Sequence, residues 1–219
     1  MNVSSSLPAV LLTGFDPFGG ESVNPSWQAV QALDGRVIEG HRVVAVQLPT
    51  AFKASLETLS AALDKHQPRV VIAVGQAGGR EGISLERVGI NLIDARIPDN
   101  DGDQPVDVPV IADGPAAYFT GLPIKTALQA LTREGIAAHV SHTAGTYVCN
   151  HVFYGLMHVL RDRPDIRAGF VHVPWSPEQA AQHEQPGMAL DDVERALSII
   201  VATALTARED ARFAAGIEC

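Results

Sequence analysis

Short apolar runs rich in Val, Ile and Leu recur along this chain and alternate with longer segments whose apolar positions follow a helical period. That alternation is the signature of an α/β fold. Strands are expected over 9–13, 42–48, 70–74, 83–93, 137–141 and 169–173, and helices over 25–33, 51–66, 123–134, 150–161 and 190–208. Most of the strand segments are continuously apolar, as strands covered by helices on both faces are. Residues 84–91 instead mix polar and apolar positions, which marks a strand near an edge or a site. The expected architecture is a three-layer α/β/α sandwich around a mostly parallel, mixed and twisted central sheet.

With 219 residues and 46% hydrophobic content, the chain can build one substantial core but is short for two. A single domain over 1–219 is therefore expected. Residues 97–115 carry Pro98, Pro105, Pro109 and Pro115 among several aspartates and have no periodicity. They read as a long excursion within the domain, with a turn at Asp101-Gly102 and a solvated acidic surface. A net charge of -9 with 16 Lys and Arg argues against nucleic acid or an anionic membrane as partner. Two cysteines, Cys149 and Cys219, make no disulfide framework and fit a reducing compartment, so a cytoplasmic protein is expected. The N-terminus lacks the basic and apolar regions of a secretory signal, and no apolar run is long enough to span a bilayer.

Cys149 carries the strongest chemical hint. It ends the small-residue run Ser141 to Val148 and precedes a helical segment. A thiol in the first turn of a helix lies near free backbone N–H groups and the positive end of the helix dipole, which favour a thiolate. By default an isolated cysteine in an apolar segment is buried and inert. Cys219 reads as an incidental residue of an exposed tail.

Three further segments stand where strands should end. The first, Gly14-Phe15-Asp16-Pro17-Phe18-Gly19-Gly20, lacks the Lys-Ser or Lys-Thr ending of a phosphate loop and the spacing of a dinucleotide loop. Phe15 and Phe18 there either pack as core or wall an apolar pocket. The second, Gly75-Gln76-Ala77-Gly78-Gly79-Arg80, offers glycines for tight turns and, in Gln76, a donor and acceptor for an amide. The third, Phe170-Val171-His172-Val173-Pro174-Trp175, ends an apolar strand with His172. A lone histidine there is usually a satisfied core residue, but a cysteine nucleophile needs such a base, and the base needs an acceptor such as Glu86.

Metal chemistry is not indicated. His139, His142, His151 and His158 crowd one stretch, yet their spacing matches no zinc motif, and the acidic excursion lacks an EF-hand pattern.

Together these segments resemble the pyrrolidone-carboxylate peptidase family, also called pyroglutamyl peptidase I, a group of cytosolic cysteine peptidases. The motifs are the two glycine-rich segments above, Ile83-Ser84-Leu85-Glu86-Arg87-Val88, Asp94-Ala95-Arg96-Ile97-Pro98-Asp99-Asn100, Ser141-x-x-Ala144-Gly145-x-Tyr147-Val148-Cys149-Asn150, and His172-Val173-Pro174. The resemblance implies Cys149 as nucleophile, His172 as general base and Glu86 as the acid that orients it. It further implies that Phe15 and Phe18 hold a pyrrolidone ring, Gln76 binds its lactam amide, and Arg96 neutralises developing negative charge. The implied substrates are peptides with an N-terminal pyroglutamyl residue, no cofactor is needed, and a homotetramer is implied. Gly89, Thr143 and Trp175 depart from the family's usual residues. The alternative is a non-peptidase α/β enzyme of nucleoside phosphorylase-like type that binds a small cyclic ligand, and a third reading is a catalytically silent binding module.

Overall fold

The computed structural model describes residues 7–216, so the C-terminal Cys219 and the first six residues lie outside the described part of the chain. The central sheet has seven strands in the order β2-β3-β1-β4-β9-β5-β8. Its middle is parallel: β1 (Ala9–Phe15) pairs with β3 (His41–Leu48) and β4 (Val70–Gln76), and β4 pairs with β9 (Arg167–Val173). β2 (Val37–Ile38) folds back antiparallel on β3 through Glu39 and Gly40, both at positive φ. At the other side β5 (Ile83–Glu86) runs antiparallel to β9 and parallel to β8 (Ala138–Ser141).

Alternation along each strand divides the core in two. Val10, Leu12, Ile72, Val74, Leu85, Val171 and Val173 face one side, where α1 (Pro25–Ala32), α3 (Ile124–Arg133) and α6 (Leu190–Thr206) pack. Leu11, Phe15, Val71, Ala73, Ala168 and Phe170 face the other, beneath α2 (Phe52–His66) and α4 (Val148–Val159). The result is the expected three-layer sandwich with a mixed sheet. Burying both faces explains why the central strands are apolar at consecutive positions.

Two expectations need correction. The segment 83–93 is not one strand. It breaks at Arg87, whose N–H donates to Ser141 and whose carbonyl accepts from Thr120, and resumes as β6 (Val88–Ile90), which pairs with β7 (Ala117–Phe119) in a separate two-stranded sheet. Gly89 lets β6 lie against α4, since a Cβ there would stand 3.1 Å from Tyr154 N. The excursion 97–115 is also more built than a solvated loop. Asp99 is buried, and its carboxylate accepts from Phe52 N at 2.8 Å, supplying the cap that Ala51 cannot give α2, and from the N–H groups of Asp101 and Asp103.

α5 (Pro177–His183) went unassigned in the sequence. It opens with a capping box in which Ser176 Oγ accepts from Gln179 N and the Gln179 side chain accepts from Ser176 N. Among the described residues, no helix is long and apolar enough to cross a membrane.

Candidate active site

The carboxyl ends of β1, β4 and β9 lie side by side, where open α/β sheets gather their ligand-binding loops. Strand parity decides which side chains meet there. His172 follows Ala168 and Phe170 onto the α4 side of β9, with its ring 4.8 Å from that of Phe170. On β5, Leu85 faces the other layer, so Ser84 and Glu86 face the α4 side as well. Ser84 is the register partner of His172, and Glu86 reaches it along the diagonal of the antiparallel pair. His172 Nδ1 lies 2.8 Å from Glu86 Oε1. An ionised carboxylate only accepts, so Nδ1 carries the proton and Nε2 keeps its lone pair.

Cys149 arrives from above. α4 begins at Val148, two residues before the expected start, so Cys149 sits inside the first turn. Its Sγ lies over Gly75, 2.8 Å from where a Cβ on that residue would stand, and Gly75 is the register partner of His172. The missing side chain leaves the space that the thiol fills. Asn150, fully buried, anchors this turn: its Nδ2 donates to the carbonyls of Ile90 and Leu92, and its Oδ1 accepts from Ile90 N.

The electrostatics differ from the sequence expectation at one point. Burial pushes the Cys149 thiol up to about 12, the Glu86 charge adds to this, and Arg80 offsets only part. At neutral pH this favours the thiol over the thiolate. Burial holds the pKa of His172 below the ordinary histidine value against the opposing pull of Glu86. For Glu86 burial would favour the neutral acid, but His172, Ser141 and Arg80 outweigh it and keep the carboxylate ionised.

Arg80 and Ser141 were not singled out as site residues in the sequence. Arg80 Nη1 donates to Glu86 Oε1 at 2.7 Å, so one carboxylate oxygen serves both Arg80 and His172. The visible signal was a lone arginine closing a glycine-rich turn after a strand.

The aromatic pair separates. Phe15 is buried core, 6.4 Å from Phe170 between ring centroids. Phe18 is half-buried and lies 6.1 Å from Tyr147, which in turn packs edge-on against Phe52. Tyr147, the residue at the N-cap of α4, thus joins Phe18 and Phe52 in an aromatic cluster that sequence reasoning did not single out. Gln76 ends β4, where its Oε1 faces Gln179 Nε2 at 3.4 Å, and Gln179 also donates to Glu21 and Val23. Arg96 is exposed on a segment tied to the approach to Cys149, with Asp94 N donating to Thr146 O and Thr146 Oγ1 donating to Asp94 O. Among the described residues no carboxylate lies within ion-pair distance of Arg96.

The histidines that crowd 139–158 disperse. His139 meets Ser84, His158 meets Tyr118 and His151 is buried against Phe52. Among the described residues, no three His, Cys, Asp or Glu side chains converge as a metal site would need.

The sequence profile of the family described as pyroglutamyl peptidase matches residues 8–207. The chain belongs to that family. A pyrrolidone-carboxylate peptidase of Klebsiella pneumoniae is 55% identical over 211 residues, covering 96% of this chain and 99% of that protein. The crystal structure of pyroglutamyl peptidase I from Bacillus amyloliquefaciens superposes with a TM-score of 0.93 at 52% identity, over 95% of this chain and 100% of that one. The pyrrolidone carboxyl peptidase of Thermococcus litoralis, at 36% identity, still gives 0.91 over 95% of this chain and 100% of that one. As a pyroglutamyl peptidase the chain is a cysteine-type hydrolase, which sets aside the phosphorylase-like alternative. Of the departures from the family's usual residues, Thr143 keeps a hydroxyl that accepts from Gly145 N, as serine would. Trp175 stacks on His183 at 4.1 Å and lies against Gly78.

Proposed function

We propose that this chain, acting as one peptidase domain, removes the N-terminal pyroglutamyl residue of peptides through a thioester on Cys149. The observation that carries the reading is the shared sheet face of Cys149, His172 and Glu86, with the Nδ1 of His172 committed to the carboxylate. His172 Nε2 takes the thiol proton as Sγ bonds to the pyroglutamyl carbonyl carbon. The negative charge on that oxygen faces free N–H groups of the first turn of α4, that of Cys149 among them. The C–N bond then breaks, and the leaving amine takes the proton from His172. Water attacks the thioester with His172 again as base, releasing pyroglutamate and restoring the thiol. Because the resting thiol is neutral, proton transfer and attack are coupled.

Arg96 serves the developing charge from the mouth of the site, a role supported by its exposure and its segment's bonds to Thr146. Phe18 and Tyr147 hold the flat ring, and Phe15 supports the floor beneath it through Phe170. Gln76, steadied by Gln179, reads the lactam amide. A pyroglutamyl ring brings no ammonium into this apolar slot, whereas an N-terminal proline brings a charged nitrogen and no lactam carbonyl. Comparing kcat/KM for pyroglutamyl and prolyl amides tests the pocket: the account expects the prolyl substrate to be poorer by about a hundredfold or more. Equal turnover of the two would overturn it.

The enzyme works in the cytoplasm as a homotetramer on this reading. Sparse cysteine supports the first. The exposed apolar side chains of Phe119, Val159 and Val106 support association.

A further inference from the structure

We infer that Arg80 is a positioning residue of the active site, holding the Glu86 carboxylate and the loop that delivers Cys149 in a single arrangement. The inference rests on the assignment of Cys149, His172 and Glu86 just given. Arg80 lies in the turn between β4 and β5, and its guanidinium makes three contacts. Nη1 donates to Glu86 Oε1 at 2.7 Å and to Ser141 Oγ at 3.4 Å, while Nη2 donates to the Thr143 carbonyl at 3.3 Å. Ser141 Oγ in turn donates to the same Thr143 carbonyl at 3.1 Å. Three pieces of chain distant in sequence are joined: the turn after β4, the end of β5, and the β8–α4 loop that runs from Ser141 to Cys149.

The joint has an electrostatic side. Glu86 is fully buried, its Oε1 is shared between Arg80 and His172, and its Oε2 has no partner among the described residues. A buried carboxylate with histidine as its only partner draws a proton onto that histidine and makes it a poor base. Arg80 supplies the balancing charge from a position whose side chain is 25% exposed, so its own desolvation is limited. The charged or titratable groups facing His172 are Glu86 on β5, Arg80 on the turn and Cys149 on α4, with His139 of β8 behind Ser84. Among these Arg80 alone is a permanent cation. It acts on both partners of the reaction, since its charge opposes protonation of His172 and favours the thiolate of Cys149.

The test is the pH profile of kcat/KM and kcat on a fluorogenic pyroglutamyl amide for Arg80→Met, Arg80→Lys, Glu86→Gln and the double variant Arg80→Met/Glu86→Gln. Folding of each is checked by circular dichroism and thermal melting. Arg80→Met should lose about ten- to a hundredfold in kcat with KM changed much less, and the acid limb of kcat/KM should move up by about half to one pH unit. Arg80→Lys keeps the charge without the planar fork, so it should restore the position of the acid limb but only part of kcat. In the Glu86→Gln background the Arg80→Met change should no longer move the limb, because the carboxylate it acts through is gone. An unmoved limb in a folded Arg80→Met protein, or a loss confined to KM, overturns the inference while an impaired Glu86→Gln leaves the triad assignment standing. Wild-type activity of Glu86→Gln would overturn the triad assignment itself.

Discussion

Glu86 and His172 meet along the diagonal of the two-residue antiparallel overlap between β5 and β9, with Oε1 and Nδ1 2.8 Å apart. Because this contact selects the tautomer with a free Nε2, Glu86→Gln lets the amide donate to Nδ1 and turns the N–H toward the thiol. Loss of about a hundredfold or more in kcat is expected, with KM little changed, less severe than loss of the nucleophile. Steady-state kinetics on a pyroglutamyl amide checks the split. A variant impaired only in KM would show that Glu86 contacts substrate instead.

Gly75 is the position where the sheet makes room for the thiol. In Gly75→Ala the new methyl would stand 2.8 Å from both Cys149 Sγ and Phe170 Cζ, and Phe170 is fully buried. Displacing the thiol by a fraction of an ångström is expected to cost about tenfold to a hundredfold in kcat. Overpacking should cost about 1–3 kcal/mol of stability, read by urea denaturation. Unchanged kcat with lowered stability would mean that the thiol relaxes without penalty.

His151 ties stability to pH without entering the chemistry. It is buried, neither ring nitrogen has a partner among the described residues, and burial lowers its pKa to about 4 against the opposing pull of the Phe52 backbone and Asp99. The unfolded chain therefore binds a proton that the folded protein refuses between about pH 6.5 and 4. Stability is fully present above that window and falls as pH drops through it, by up to about 3 kcal/mol from this residue. His151→Phe should flatten the dependence of the urea midpoint between pH 7 and 4.5 relative to the unsubstituted protein. An unaltered slope would place the acid sensitivity elsewhere, His172 being the next buried imidazole.

The parallel centre of the fold was legible because β1, β4 and β9 are buried on both faces and so apolar at successive positions. Cys149 and His172 were visible as reactive side chains at the ends of apolar segments, but each read by default as a buried, inert residue, and only the family resemblance joined them with Glu86 as a candidate triad. The break at Arg87 was not, since its cause is pairing with Ser141 and Thr120, far along the chain. Asp99 looked like one aspartate among several, and only the distant start of α2 makes it a buried cap. Arg80 was hidden for the same reason: its partners Ser141 and Thr143 lie some sixty residues away and come close only when β8 joins β5. Tyr147 was hidden likewise, since its ring partners Phe18 and Phe52 lie far back along the chain. Periodicity reports how a segment is buried, and says little about which remote backbone or carboxylate it meets.

The most direct measurement is fluorophore release from a pyroglutamyl amide by the unsubstituted protein and by Cys149→Ala, each with and without iodoacetamide. The account predicts release by the unsubstituted protein, its loss on alkylation, and no release from a Cys149→Ala variant with an unchanged circular dichroism spectrum. Turnover by Cys149→Ala, or activity surviving complete alkylation of Cys149, would contradict the thioester on that residue.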